Sequence, residues 1–321
     1  MKKYMLTTAL VSAGFAAAMA ATPAAAQTQV AWGGSNPGGV MYYMVGVAGT
    51  LFSEQVDGLN VTQVTTGGST ENAKRLVSGE LDMGIVYGAH VYMSLNNEGP
   101  FENDATGDML RGVAKAYEGP TYFVTLEGSD IETIDDLAGA NVALGPPGSG
   151  TVFNCSNMLR ALGMLDDIEP EMMTFADAGR ALGNNQIDAF CQSSAPAAAV
   201  SELAETQGVR VLEYSDEQMA TIQEMYPFYN TGRLADDVYT GVPETQMPFM
   251  TVYWVAHERV DADVVEDMLE VAYTDENRQR LAEGHAAWAQ MEPDTANFLA
   301  LGAPMHPGAE AYYRANGMWE E

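Results

Sequence analysis

Three glycine-rich segments set the strongest constraint on this chain, because each sits where a short apolar run gives way to helical spacing. Residues 30–32 lead into Gly33-Gly34-Ser35-Asn36-Pro37-Gly38-Gly39, followed by helix-spaced residues 40–56. Residues 60–65 alternate as a strand and lead into Thr66-Gly67-Gly68-Ser69-Thr70-Glu71-Asn72, with a helix expected over 73–78. Residues 141–144 lead into Gly145-Pro146-Pro147-Gly148-Ser149-Gly150-Thr151, with a helix expected over 152–162. Strand, glycine turn and helix in that order is the unit of α/β proteins with a mainly parallel sheet.

Further strands are expected at 81–87, 122–126, 171–175, 186–192, 209–213 and 250–256, with a helix at 177–182 and a short helical turn at 134–137. Residues 109–117 fit either a helix or a strand, 226–248 read as irregular, and the last 60 or so residues read as mostly helical. Residues 30–87 and 122–192 look like two copies of one βαβ layout. The fold class is therefore α/β with two lobes, and ligands of such folds bind beyond the carboxyl ends of the strands.

Lys2 and Lys3, the apolar run 5–21 and Pro23-Ala24-Ala25-Ala26 have the form of a secretory signal peptide, with cleavage expected near Ala26. The chain has 44 acidic and 14 basic residues, for a formal charge of −30. That balance excludes nucleic acid and anionic lipid as partners, because both require clustered cations. No other segment approaches the roughly 20 apolar residues of a membrane span, so no insertion is expected after cleavage. The acidic residues are spread along the chain, the pattern of a solvated surface whose self-repulsion salt would screen.

The segment 145–151 nearly spells a phosphate-binding P-loop, but Thr151 stands where the motif needs lysine and Val152 where it needs Ser or Thr. Nucleotide hydrolysis is thereby disfavoured. The geometry survives: glycines bring backbone N–H groups at a helix N-terminus up to an anion. One such loop alone reads as an ordinary N-cap, whereas three in matched places favour a ligand cleft. The candidate binding residues are Asn36, Tyr42, Tyr43, Gly68, Ser69, Thr70, Asn72, Tyr87, Ser149, Gly150, Thr151, Gln192 and Ser193. Aromatic hydroxyls, amides and small hydroxyls beside the glycine turns supply the donors.

His90, His257, His285 and His306 are scattered, so no metal site and no cofactor are expected. No Gly-x-Ser-x-Gly elbow supports a catalytic serine. Cys155 and Cys191 are the only cysteines, and an exported pair reads first as a disulfide, with two buried thiols as the other reading.

Seven stations in order cover almost the whole chain after the leader. They are residues 38–43 (GGVMYY), 66–72 (TGGSTEN), 76–84 (LVSGELDMG), 136–139 (DLAG), 145–151, 186–190 (QIDAF) and 306–313 (HPGAEAYY). Together they resemble the TAXI-type solute receptors of tripartite ATP-independent periplasmic (TRAP) transporters. Ser35-Asn36-Pro37 departs from the threonine and glycine usual there, and Gln192–Pro196 lacks a glycine common before that proline. The resemblance implies a type II periplasmic binding fold, with 27–119 plus 256–321 as one lobe and 120–255 as the other. It implies hinges near 117–121 and 256–259, and a periplasmic receptor without catalysis that hands solute to a TRAP permease. The implied ligand is a small carboxylate or amino acid of the glutamate, glutamine or 2-oxoglutarate type. A ligand-sensing role and a secreted hydrolase are the alternatives.

Overall fold

The computed structural model describes residues 27–320, so the expected signal peptide lies outside the described residues. The first lobe opens with β1 (Thr28–Gly33), α1 (Val40–Gln55), β2 (Leu59–Val64), α2 (Ser69–Val77), β3 (Met83–Tyr87) and α3 (Gly88–Asn96), then the long β4 (Leu110–Pro120). The second lobe follows with β5 (Tyr122–Leu126), β6 (Asn141–Ala143), α4 (Gly150–Ala161), β7 (Glu169–Glu171), α5 (Phe175–Gly183), β8 (Ala189–Gln192), α6 (Ala198–Thr206), β9 (Val209–Val211) and α7 (Asp216–Met225). The chain then returns through β10 (Asn230–Leu234) and β11 (Thr245–His257) to the terminal helices α8 (Ala262–Ala272), α9 (Asp275–Gly284), α10 (Thr295–Ala300) and α11 (Pro307–Ala315).

Two sheets result. The first has the order β10-β11-β3-β1-β2, with β4 also paired to β11, and the second has the order β7-β6-β8-β5-β9. Taken outward from the middle, both place the first βαβαβ unit in the order 2-1-3 and add an antiparallel strand beside the third. The repeat read from the sequence is present but begins later in its second copy: β6–β8 match β1–β3, and residues 122–126 form the added antiparallel strand.

Each sheet is buried on both faces, which is why its central strands read as apolar runs without alternation. All five residues of β3 are buried, as are all four of β8. In the first lobe Trp32 of β1 stacks on Trp254 of β11 at 4.7 Å and on Phe52 of α1 at 6.0 Å, which ties the parallel unit to the antiparallel strand. In the second lobe Cys155 of α4 and Cys191 of β8 form a disulfide, with Cα atoms 6.3 Å apart.

Several expectations change. Residues 110–117 are strand, because β4 pairs with residues 249–257 of β11. The strand expected at 171–175 ends at Glu171, since Thr174 Oγ1 accepts Asp177 N–H and starts α5 at Phe175. The stretch 226–248 contains β10 and the start of β11, and α3, α6 and α7 were not legible. The lobe boundary and hinge expected at 255–259 fall at the end of β11, which lies wholly in the first sheet. The chain crosses once between Pro120 and Tyr122, and returns between α7, which packs on α4, and Asn230.

Candidate functional site

Between the lobes, the N-termini of α1, α2 and α4 converge on a small cavity of about 20 Å³, enough for one water molecule. Ser35, Gly39, Val40, Met41, Gly67, Gly68, Ser69 and Tyr87 line it from the first lobe, and Ser149, Gly150, Thr151, Phe175, Gln192 and Ser194 from the second. Among the described residues that line it, none is charged.

The first turn of a helix leaves backbone N–H groups without intrahelical acceptors. In α2, Asn72 N–H returns to Gly68 O and Glu71 N–H reaches across the lobes to Gly148 O at 3.1 Å, leaving those of Ser69 and Thr70 unmatched among the described residues. In α4, Ser149 Oγ accepts Val152 N–H at 3.1 Å, leaving those of Gly150 and Thr151. In α1, Tyr42 N–H is taken by Gly39 O, leaving those of Val40 and Met41. Each helix end also carries about half a positive elementary charge from its aligned dipoles. Gln192 adds a buried amide, 1% exposed, whose Nε2 has no hydrogen-bond partner among the described residues. The cavity is therefore a cluster of neutral donors suited to an anion.

Glycines let the lobes meet. A Cβ on Gly67 would stand 2.6 Å from Pro147 O, and one on Gly150 would stand 2.6 Å from the Tyr87 ring. The loop after β8 is held by tyrosine hydroxyls from three strand ends. Tyr87 Oη donates to Ser193 O and lies 2.9 Å from Ser193 Oγ. Tyr117 Oη is 2.8 Å from Ser194 Oγ, and Tyr122 Oη donates to Ser194 O at 3.0 Å. Burial raises the pKa of all three phenols, so they remain protonated donors at neutral pH.

The structure brings Gly68, Ser69, Tyr87, Ser149, Gly150, Thr151 and Gln192 to the cavity. Ser193 supports it from behind through Tyr87 and through Thr151 Oγ1 at 2.5 Å. Asn72 does not line it: its side chain is fully buried and donates to the carbonyls of Gly34 and Ile85 while accepting from Thr66. Asn36 closes the turn before α1 through its carbonyl, which accepts Gly39 N–H. Tyr42, the next residue along α1 after Met41, does not line the cavity, Tyr43 is exposed and stacks on His285, and Thr70 faces a separate groove beside Phe153. Ser35, Gly39, Gly67 and Ser194 also line the cavity, from the glycine turns and the loop after β8 that the sequence points to, whereas sequence reasoning missed Val40, Met41 and Phe175. Counting back from the aromatic pair to the first helical N–H groups would have found Val40 and Met41.

The cations nearest the glycine turns in sequence are engaged elsewhere. Lys74 pairs with Asp104 at 2.9 Å, Arg75 with Glu71 at 3.3 Å and Lys115 with Glu292 at 2.6 Å. Arg111 pairs with Glu258, Arg180 with Asp177, and Arg160 bonds Asn157. The one serine–histidine contact at the cavity is Ser69 Oγ to His90 Nδ1, 2.7 Å. Burial pushes His90 down to about 3, and its Nε2 meets no partner among the described residues. An imidazole that resists protonation and has no carboxylate to orient it is a poor general base. Among the described residues no group of three or more His, Cys, Asp or Glu could hold a metal, and no helix is long and apolar enough to cross a membrane.

A two-lobed α/β frame with matched 2-1-3 sheets and a cleft at the strand ends defines the type II periplasmic binding-protein fold. The chain belongs to the NMT1-like family, whose model matches residues 34–317. It is similar to a solved periplasmic transporter at 12% identity, covering 90% of this chain and 96% of that one with a TM-score of 0.58. It is also similar to a protein of Bordetella bronchiseptica RB50 at 16% identity, covering 90% and 98% with a TM-score of 0.53. The periplasmic aliphatic sulphonate binding protein SsuA of Escherichia coli matches at 17% identity over 91% and 94%, with a TM-score of 0.47. At such identities the first two likenesses speak for the fold alone.

Proposed function

We propose that this protein is an exported solute receptor that captures a small carboxylate between its lobes and delivers it to a membrane permease of the TRAP type. The observation that supports this most is the convergence of three helix N-termini and the Gln192 amide on one interlobe cavity that no charged side chain lines. Neutral donors grip a carboxylate through hydrogen bonds that strengthen when water is excluded. The lobe formed by residues 27–120 with 230–320 would close on the lobe formed by 121–229. A solute of four or five carbons exceeds 20 Å³, so it would hold the lobes slightly further apart than they stand here.

Within the class of glutamate, glutamine and 2-oxoglutarate, the absence of any carboxylate in the lining favours an acid without an ammonium group. The receptor performs no reaction on this reading, in keeping with the poorly basic His90. A ligand-sensing partner in place of a permease would use the same cavity. A titration calorimetry panel of dicarboxylates, 2-substituted acids and amino acids on refolded protein tests the proposal. Saturable one-to-one binding of an acid, weakened by salt only modestly, is the expected result. Heat signals absent across all the acids would refute it.

A further inference from the structure

His90 is a fully buried imidazole for which the receptor reading has no use. Its Nδ1 lies 2.7 Å from Ser69 Oγ, which also accepts Tyr87 N–H at 2.8 Å. A serine hydroxyl has one proton and two lone pairs. The 2.7 Å separation is ordinary for an O–H donor and at the short limit for an N–H donor to oxygen. The ring also meets Phe153 at 4.7 Å and Phe101 at 5.7 Å, both steeply inclined to it, and Nε2 has no hydrogen-bond partner among the described residues. An N–H among aromatic rings is weakly favourable, whereas a bare lone pair facing their π-electrons is not. Both observations put the proton on Nε2 and make Nδ1 the acceptor. The Ser69 proton is then committed to His90 and one lone pair to Tyr87 N–H. A single lone pair remains for the cavity that Ser69 lines.

We infer that His90 fixes Ser69 as a hydrogen-bond acceptor toward the solute, so that the site selects a 2-hydroxy acid over its 2-oxo isostere. This rests on the receptor reading above and, within small carboxylates, puts a 2-hydroxy acid ahead of 2-oxoglutarate. The N–H and Oγ of Ser69 belong to one residue, so a carboxylate on the first brings its neighbouring carbon's substituent within reach of the second. A hydroxyl there donates to Ser69. A ketone oxygen sets lone pair against lone pair. An ammonium also donates, but no carboxylate in the lining balances its charge. His90 is thus a positioning residue that acts through Ser69.

The test is calorimetry on the purified protein with two isosteric pairs, lactate against pyruvate and 2-hydroxyglutarate against 2-oxoglutarate, using both hydroxy-acid enantiomers. One hydrogen bond gained and one repulsion avoided predict that the better hydroxy acid binds about fivefold tighter or more. His90→Phe keeps an aromatic ring beside Phe101 and Phe153 and frees the Ser69 proton to turn inward, which should erase or invert the ratio. Nitrogen-15 NMR of the unaltered protein, independent of any variant's folding, should show His90 protonated at Nε2. A proton on Nδ1 overturns the inference, as does a ratio that His90→Phe leaves intact. Tighter or equal binding of the 2-oxo acids overturns it while the receptor reading stands. No binding by any acid overturns both.

Discussion

Gly67→Ala separates lobe closure from lobe stability. Gly67 does not occupy the positive-φ region, so alanine introduces no backbone strain within its own lobe. Its Cβ would stand 2.6 Å from Pro147 O and 3.3 Å from the Gly148 carbonyl carbon, both main-chain atoms of the opposite lobe. Relieving that overlap needs a separation of several tenths of an ångström, and overpacking of this size costs about 1–3 kcal/mol. The same displacement stretches the Glu71 N–H to Gly148 O bond from 3.1 Å, a further loss of about 1 kcal/mol. The arrangement seen here is then disfavoured by about 2–4 kcal/mol, which bounds the loss in apparent affinity at roughly 30- to 1,000-fold, because a solute that holds the lobes slightly apart relieves part of the overlap. Small-angle scattering should show a larger radius of gyration for the variant, calorimetry a weaker affinity, and chemical denaturation a nearly unchanged midpoint. Affinity within twofold of the parent, with an unchanged scattering curve, would show that these glycines do not govern closure.

Replacing Cys155 and Cys191 together by alanine opens a loop of 36 residues and should lower unfolding stability by about 4 kcal/mol in the chain-entropy model, read from denaturant titration. His90 has a folded pKa near 3, below the unfolded value of 6.5, so its neutral form stabilises the fold above pH 6.5 and that contribution fades as pH falls toward 3. The melting temperature of His90→Phe should therefore fall less between pH 7 and pH 4.5 than that of the parent; parallel curves would refute this. With a formal charge of −30, the chain should melt at higher temperature in about 0.5 M NaCl than in dilute buffer, and an unchanged midpoint would mean that repulsion is not limiting.

The glycine turns made the parallel halves of both sheets legible, because strand, turn and helix follow one another within a few residues. The antiparallel strands were harder. The pairing of β11 with β3 and β4 joins residues far apart in sequence, and no local pattern at Thr245 announces which sheet it enters. The site was legible at its glycines and hydroxyls and misread at its aromatics. Tyr42 and Tyr43 drew attention by their chemistry, whereas the donors α1 presents are the N–H groups of Val40 and Met41, which carry no side-chain signal. Asn72 has the residue type of a ligand contact but spends its amide on backbone carbonyls and its oxygen on the Thr66 hydroxyl. Phe175 became visible only with the cap at Thr174, which fixes where α5 begins.

The grip on the solute proposed here is mostly main chain, and that has an evolutionary side. Side-chain replacement at Ser69, Gly150 or Val40 leaves each amide proton in place unless the newcomer is proline or is too bulky to admit the opposite lobe. Anion capture would therefore tolerate drift at Val40, whereas alanine at Gly150 would meet the Tyr87 ring and alanine at Ser69 would remove the hydroxyl that faces the solute. Discrimination among anions would rest on the few side chains that still offer a polar atom to the cavity, Ser69 and Gln192. A lineage could exchange one acid for another there without rebuilding the cleft.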